Sequence, residues 1–347
     1  VEPGADCYNF ILHNGNNKAL GANNSRFEPV KAAQGQQAFT FDGYPDIWYT
    51  PVTTRPIFLD GARVHWLDTS TLLWSTDVNN ADSYRLYYAA EAGIDVINQA
   101  LLNDLPYKTL TSKEANASYY QQNPHLNGFK GFTVDIDDAQ AKQLVKNQLL
   151  VVALDEQGNL LDATRVQSPR LLDYLYTRNS VDADEASLGL NYLDGQVTAS
   201  VWAPTASQVA IKIYNATKQE TTTQPMTVDE ATGIWSYSTE KSAVDRLYYR
   251  YKLTVFHPLT SKMENLTVTD PYSVGLSTNG RYSQFVDLSD DDLKPPGWDN
   301  HVVPTVANFE DSIIYEGHIR DFSILDESTS AENRGKYLAF TEANSLP

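Results

Sequence analysis

His318, Asp321 and Ser323 are the residue types of a nucleophilic triad, lying within six positions of one another. Their closeness argues against that chemistry. Triad members are normally brought together from separate elements, and nothing nearby supplies an oxyanion hole. The other histidines are His13, His65, His125, His257 and His301. No two of the six sit at helical ligand spacing, and Cys7 is the only cysteine, so a structural zinc site is not expected. There is no phosphate-cradling glycine loop and no Gly-x-Ser-x-Gly turn. Acidic neighbours abound, as in Asp155-Glu156 and Asp290-Asp291-Asp292. Glycoside hydrolysis needs two carboxylates about 5–9.5 Å apart across a bound sugar, whereas these lie in turn-like and linker-like sequence and read as solvated loops. What stands out instead is an aromatic load of 6 Trp, 21 Tyr and 12 Phe beside only 2 Met. Such rings suit β-strands, and also surfaces that stack on flat ligands.

Charge narrows the partners. The 347 residues carry a net charge of −18. A field of that sign repels phosphate backbones, so nucleic acid is not an expected partner, whereas a neutral polymer such as a polysaccharide is not repelled. The same acidity also serves simply to keep a protein soluble. With one cysteine no internal disulfide can form, which suits the cytoplasm or a secreted chain whose partner cysteine lies elsewhere. No apolar run of about 18 residues occurs, so no transmembrane helix is expected. Val1 begins no signal-like segment; either the protein is cytosolic or its start has been removed.

A chain of this length implies several domains. Residues 1–53 are loop-rich, with short strands at Tyr8–His13 and Ala38–Phe41, too few to stand alone. Residues 54–178 form a second β-rich module. Its strands are Ile57–Leu59, Ala62–Leu67, Thr71–Trp74 and Tyr84–Tyr88, followed by a helical pattern from Ile94 to Leu102. A helix capped by Asp137 or Asp138 runs through Val145, and a hairpin turns at Asp155–Asn159. Residues 179–295 repeat strands at sandwich spacing. In the long strand Leu247–Phe256, Leu247, Tyr249, Tyr251, Leu253 and Val255 alternate with Tyr248, Arg250, Lys252 and Thr254, the mark of a half-buried strand. Residues 296–347 begin in a Pro-Pro-Gly linker and hold an apolar run, Ser312–Tyr315, which reads as a new strand. The chain is expected to stop as a further domain begins.

The third module carries a family resemblance. Ser200-Val201-Trp202-Ala203-Pro204-Thr205-Ala206, Gly233-Ile234-Trp235 and Thr269-Asp270-Pro271-Tyr272-Ser273 resemble the N-terminal β-sandwich of isoamylase-type and pullulanase-type starch-debranching enzymes. Ile313–Ser323 looks like the first barrel strand of the α-amylase superfamily, and Arg334–Phe340 continues as in secreted bacterial pullulanases. Gly61–Leu67 and Gly158–Thr164 resemble the module that precedes the sandwich. Residues 1–53 resemble the end of a pullulanase-type starch-binding module, in which Lys18 matches a glucan-contacting lysine. Gly15 stands where that family often has a platform tryptophan.

The resemblance implies a mainly β fold, with tandem β-sandwich modules followed by the first strand of a truncated (β/α)8 barrel. It implies a parent enzyme, extracellular or at the cell surface, that hydrolyses α-1,6 branch bonds in pullulan, starch (amylopectin) or glycogen. Its catalytic carboxylates belong to later barrel strands, so no catalytic residue carries over here. No cofactor or metal is implied for this region, although calcium is common in parent enzymes. Trp235, Tyr249 and Lys252 join Lys18 as candidate glucan contacts, a ring stacking on the sugar and polar neighbours bonding its hydroxyls. The alternative places Trp202 and Trp235 in the core, with the sandwich bracing the catalytic barrel. A free-standing glycogen- or starch-binding scaffold and the front of a branching enzyme are the competing readings.

Overall fold

The computed structural model describes residues 61–94, 96, 104–178 and 183–342, with short stretches before residue 61. It divides into two compact units, residues 1–287 and 288–347.

At the start of the first unit, β1 (Tyr8–Phe10) pairs with β4 (Ser25–Phe27), and β2 (His13–Asn14) pairs with β3 (Asn17–Lys18). Half of the strand expected at Ala38–Phe41, and all but Ile94 and Val96 of the helical pattern from Ile94 to Leu102, lie outside the described residues.

Seven strands then close into a barrel, where a β-sandwich was expected. They are β5 (Val64–Asp68), β6 (Thr71–Trp74), β7 (Ser83–Ala89), β8 (Tyr107–Ser112), β9 (Lys130–Val134), β10 (Gln148–Leu154) and β11 (Leu160–Gln167), in the closed order β10-β11-β5-β6-β9-β8-β7. Local chemistry sets its tight turns. Asp155 accepts from the N–H groups of Gln157 (3.0 Å) and Asn159 (2.7 Å), and Gly158 supplies the left-handed residue of the β10–β11 hairpin at φ 81°. These bonds hold the Asp155 carboxyl below its usual range, the Asn159 side chain contributing most. Asp137 caps the helix Asp138–Leu144 in a reciprocal box with Gln140. All seven residues of β10 are buried, because its apolar run is covered on both faces.

Closure depends on a seam that hydrophobic alternation does not announce. β11 runs parallel to β5, pairing Val166 with Val64 and Gln167 with His65 across about a hundred residues of chain. Arg63 locks this seam. Its guanidinium donates to both carboxylate oxygens of Asp162 (2.6 and 3.0 Å) and to the carbonyls of Ala163 (2.9 Å) and Ser75 (3.1 Å). Thr76 adds a hydroxyl donor to Asp162 at 2.7 Å.

Two antiparallel sheets follow. One has the order β12 (Gly189–Leu193), β13 (Gln196–Trp202), β17 (Ile234–Glu240), β16 (Thr227–Asp229). The other has β15 (Glu220–Pro225), β14 (Gln208–Tyr214), β18 (Tyr248–His257), β19 (Lys262–Val268), with β20 (Ser283–Gln284) also on β18. Val197, Ala199, Val201 and Trp235 of the first share a core with Val209, Ile211, Ile213, Tyr249 and Tyr251 of the second.

In the second unit, Ile313-Ile314-Tyr315 is not a strand; these residues are 97%, 91% and 80% exposed. A strand exists only where a neighbour takes its hydrogen bonds, and no described residue pairs with this run. Ile319–Ser323 forms a short helix instead, capped by His318 Nδ1 accepting from Arg320 N–H at 3.3 Å. The buried Ser323 hydroxyl accepts from Gly335 N–H at 2.9 Å. His318 and Ser323 thus serve as a cap and a loop tie.

Asp162→Ala would leave the Arg63 guanidinium without its bidentate partner at the seam. We expect a loss of about 3 kcal/mol in unfolding free energy by denaturant titration. A change below about 0.5 kcal/mol would show that the seam does not need this pair.

Candidate glucan-binding face

The long strand β18 has two faces with different chemistry. Tyr249 and Tyr251 point inward and are fully buried. Both hydroxyls donate to Oδ2 of the buried Asp270, at 2.7 and 3.3 Å. Asp270 Oδ1 accepts from Tyr272 N–H at 2.8 Å, and Asp270 N–H donates to Ser283 Oγ at 2.9 Å. A buried carboxylate is tolerable only with its lone pairs satisfied; here two phenols and an amide do so. Burial, reinforced by the Asp270 charge, pushes the Tyr249 and Tyr251 hydroxyls far above the usual tyrosine range. Burial and then Glu230 push Tyr176 up to about 12.

This geometry corrects two expected sugar contacts. Tyr249 has no face open to solvent and its hydroxyl is engaged. Trp235 is also buried, its indole N–H donating to the Ala203 carbonyl at 3.1 Å. Both are core residues, because inward positions of two facing sheets are where large rings gain most from leaving water. Lys18 lies on β3 opposite His13, in a part of the chain separate in sequence from the sheets.

Lys252 does face outward and is exposed. Alternation places Tyr248, Arg250 and Thr254 of β18 on its side, with Lys212 opposite Arg250 and Tyr214 opposite Tyr248 on β14. Tyr282 packs on this surface, its ring 4.9 Å from that of Tyr214 and 6.3 Å from that of Tyr248, both edge-to-face. Lys218 Nζ sits 3.5 Å over the Tyr248 ring. Arg250 donates to the Thr267 carbonyl. Lys212 pairs with Glu220 at 2.6 Å, and this bond holds the Glu220 carboxyl below and the Lys212 ammonium above their ordinary values. The face therefore offers hydroxyls, ammonium donors and ring edges, but no flat indole platform. Of these groups sequence reasoning selected only Lys252. Tyr248 and Arg250 were legible as its outward neighbours on one strand, whereas Tyr282 comes from a distant segment with no local signal.

The comparisons with known proteins bear on both halves of the first unit. Residues 61–174 match the Pullulanase N2 domain, and residues 187–273 match Carbohydrate-binding module 48 (Isoamylase N-terminal domain). The chain is homologous to the N-terminal part of pullulanases. It is 40% identical over 288 residues to the pullulanase of Klebsiella pneumoniae, covering 82% of this chain and 26% of that protein. It is 37% identical over 289 residues to pullulanase 1, chloroplastic, of Arabidopsis thaliana, covering 82% and 29%. The crystal structure of PulA from Klebsiella oxytoca aligns with a TM-score of 0.80 at 34% identity, over 97% of this chain and 32% of that one. A maltotriose complex of PulA from Klebsiella pneumoniae aligns with a TM-score of 0.73 at 38% identity, over 82% and 30%. The chain thus spans about a quarter to a third of the relatives it matches. The seven-stranded barrel is the N2 domain and the paired sheets are the CBM48 module. Among the described residues no group of three or more His, Cys, Asp or Glu is placed to hold a metal ion. No described helix is long and apolar enough to cross a membrane.

Two predictions come from the Asp270 cluster. Tyr249→Phe removes a donor from a buried carboxylate and should cost about 1–3 kcal/mol by denaturant titration; an unchanged midpoint would mean that Asp270 is satisfied without it. The cluster and Tyr176 also set an alkaline limit. Below pH about 10 these tyrosines are protonated in both states and contribute no pH dependence. Above it the unfolded chain releases protons that the folded chain retains, so stability falls, by roughly 1.4 kcal/mol per pH unit for each group. The Tyr176 contribution levels off near pH 12. Unfolding titrations at pH 9 to 11 should show this decline, and a flat profile would contradict it.

Proposed function

We propose that this chain is the N-terminal, non-catalytic region of a pullulanase that hydrolyses α-1,6 branch bonds in pullulan, starch or glycogen. Within it, the outer CBM48 face around Lys252 contacts α-glucan, and the N2–CBM48 pair braces a catalytic barrel. The observation that carries this reading is the pair of adjoining domain matches, in the order N2 then CBM48, inside one alignment to pullulanases. Known pullulanases among the relatives have been crystallised with maltotriose, which supports a neutral α-glucan as the partner. The net charge of −18 is compatible with an uncharged polymer.

On the outer face, Lys252 and Lys212 donate to sugar hydroxyls while the edges of Tyr248 and Tyr282 exclude water from the contact. The exposed run Ile313-Ile314-Tyr315 has the all-apolar character of a parallel barrel strand covered on both faces, and we assign it to the first strand of the (β/α)8 barrel. Residues 1–53, with Lys18, are assigned to the end of a starch-binding module. Localisation outside the cell follows the likeness of Arg334–Phe340 to secreted bacterial pullulanases.

Affinity electrophoresis through pullulan or amylopectin tests the reading. The chain should be retarded and should release no reducing sugar. The double substitution Tyr248→Ala, Lys252→Ala should reduce the apparent affinity about tenfold while leaving the thermal midpoint within a few degrees. Equal retardation of variant and parent would remove this face from the binding site.

A further inference from the structure

A second place on the first unit has the chemistry of a sugar site. Where the CBM48 module meets the N2 domain, a cleft of about 430 Å3 is lined by Asp173, Thr177, Asp184, Leu188, Trp202 and Tyr272. Its size falls in the range of small-ligand pockets, about 300–1,000 Å3.

Its two aromatic residues are placed by different contacts. Gly189, the first residue of β12, has φ 79°, and a Cβ there would come within 3.0 Å of Tyr272 Cβ. Glycine is therefore what allows Tyr272 to lie against the strand, leaving its side chain 43% exposed. Trp202 is half-buried, its indole N–H donating to the Thr232 carbonyl at 3.0 Å and its ring meeting Tyr176 edge-on at 6.4 Å. The Trp202 ring is thus held in place before any ligand arrives, with Tyr272 beside it in the cleft.

The polar groups point the same way. Thr177 is anchored to the Asp173 carbonyl through both its N–H and its hydroxyl, each at 2.9 Å. The Asp173 and Asp184 side chains have no hydrogen-bond or ion-pair partner among the described residues. Two acceptor-only carboxylates beside aromatic rings repel phosphates and other anions but suit vicinal hydroxyls, which donate to them while the C–H face of the ring lies on the aromatic surface.

We infer that this cleft is a second α-glucan subsite, separate from the outer face around Lys252, holding a short run of glucosyl rings against Trp202 and Tyr272 with hydroxyls bonded to Asp173 and Asp184. It rests on the α-glucan reading proposed above. It differs from that reading in requiring residues of both domains.

The Trp202 indole N–H is a built-in reporter. In a titration of the whole chain with maltotriose, followed by the nitrogen–proton NMR signals of the indoles and assigned with Trp202→Phe, the Trp202 signal should shift saturably. Tyr272→Ala and Asp184→Asn should each weaken that saturation about tenfold, with thermal midpoints matching the parent. Tyr272→Trp should retain it. The outer-face variant Tyr248→Ala, Lys252→Ala should leave the Trp202 titration unchanged. A Trp202 signal that stays still while the chain is retarded by pullulan overturns the cleft and leaves the outer face standing. Titration of Trp202 with unaltered affinity in the Tyr272 and Asp184 variants also overturns it. Neither retardation nor a shift overturns both readings.

Discussion

The first unit depends on the burial of one tyrosine between two domains. Tyr176, at the end of the helix Pro169–Tyr176 that packs on β5 of the N2 barrel, is 2% exposed. Its ring meets Trp202 of CBM48 edge-on and lies where a side chain on Gly233 would strike it at 3.1 Å. Lys142 stands 4.6 Å over the same ring and donates to the carbonyls of Glu230 and Ala231 (2.7 and 3.2 Å) across the junction. Ile234 and Trp202 accordingly belong to the same apolar cluster as the barrel interior. Interfaces between domains are usually polar enough to permit relative motion. A continuous core does not.

Rigidity at this junction has a consequence for binding. The cleft beside it takes Asp173 from N2, Thr177 from the segment just after it, and Trp202 and Tyr272 from CBM48. Its shape survives only if the domains hold their relation, and Tyr176 supplies that constraint. A second tether on the same unit joins Arg165 of β11 to Ser261 Oγ at 3.1 Å. Preformed sites lose less ordering entropy on binding than sites assembled around the ligand, which is the advantage the proposed subsite would draw from this junction.

The strand β18 shows how one stretch of backbone serves stability and surface chemistry together. Its inward tyrosines satisfy Asp270, which also orients the chain leading to Tyr272. Its outward residues make the surface that carries Lys252. The Asp-Pro-Tyr motif is therefore structural at Asp270 and exposed at Tyr272, two residues apart.

The sequence by itself determined the β character, the strand edges at Thr71–Trp74 and around Tyr248–His257, the capped helix after Asp137, the hairpin at Asp155–Asn159 and the likeness to pullulanases, because alternation, caps and turn residues are local signals. It also placed Lys252 on an outward face. It did not reveal that the 61–174 region closes as a barrel, since the parallel seam of β11 on β5 joins strands about a hundred residues apart and leaves no periodic trace. Nor did it separate a ring that stacks on sugar from one that packs in a core: Trp235 and Tyr249 look equally suited to either until the second sheet covers them. The strand expected at Ile313 shows the same limit, because an apolar run becomes a strand only when a neighbour accepts its hydrogen bonds. Burial and pairing are properties of what comes to lie alongside, and only the tertiary structure decides that.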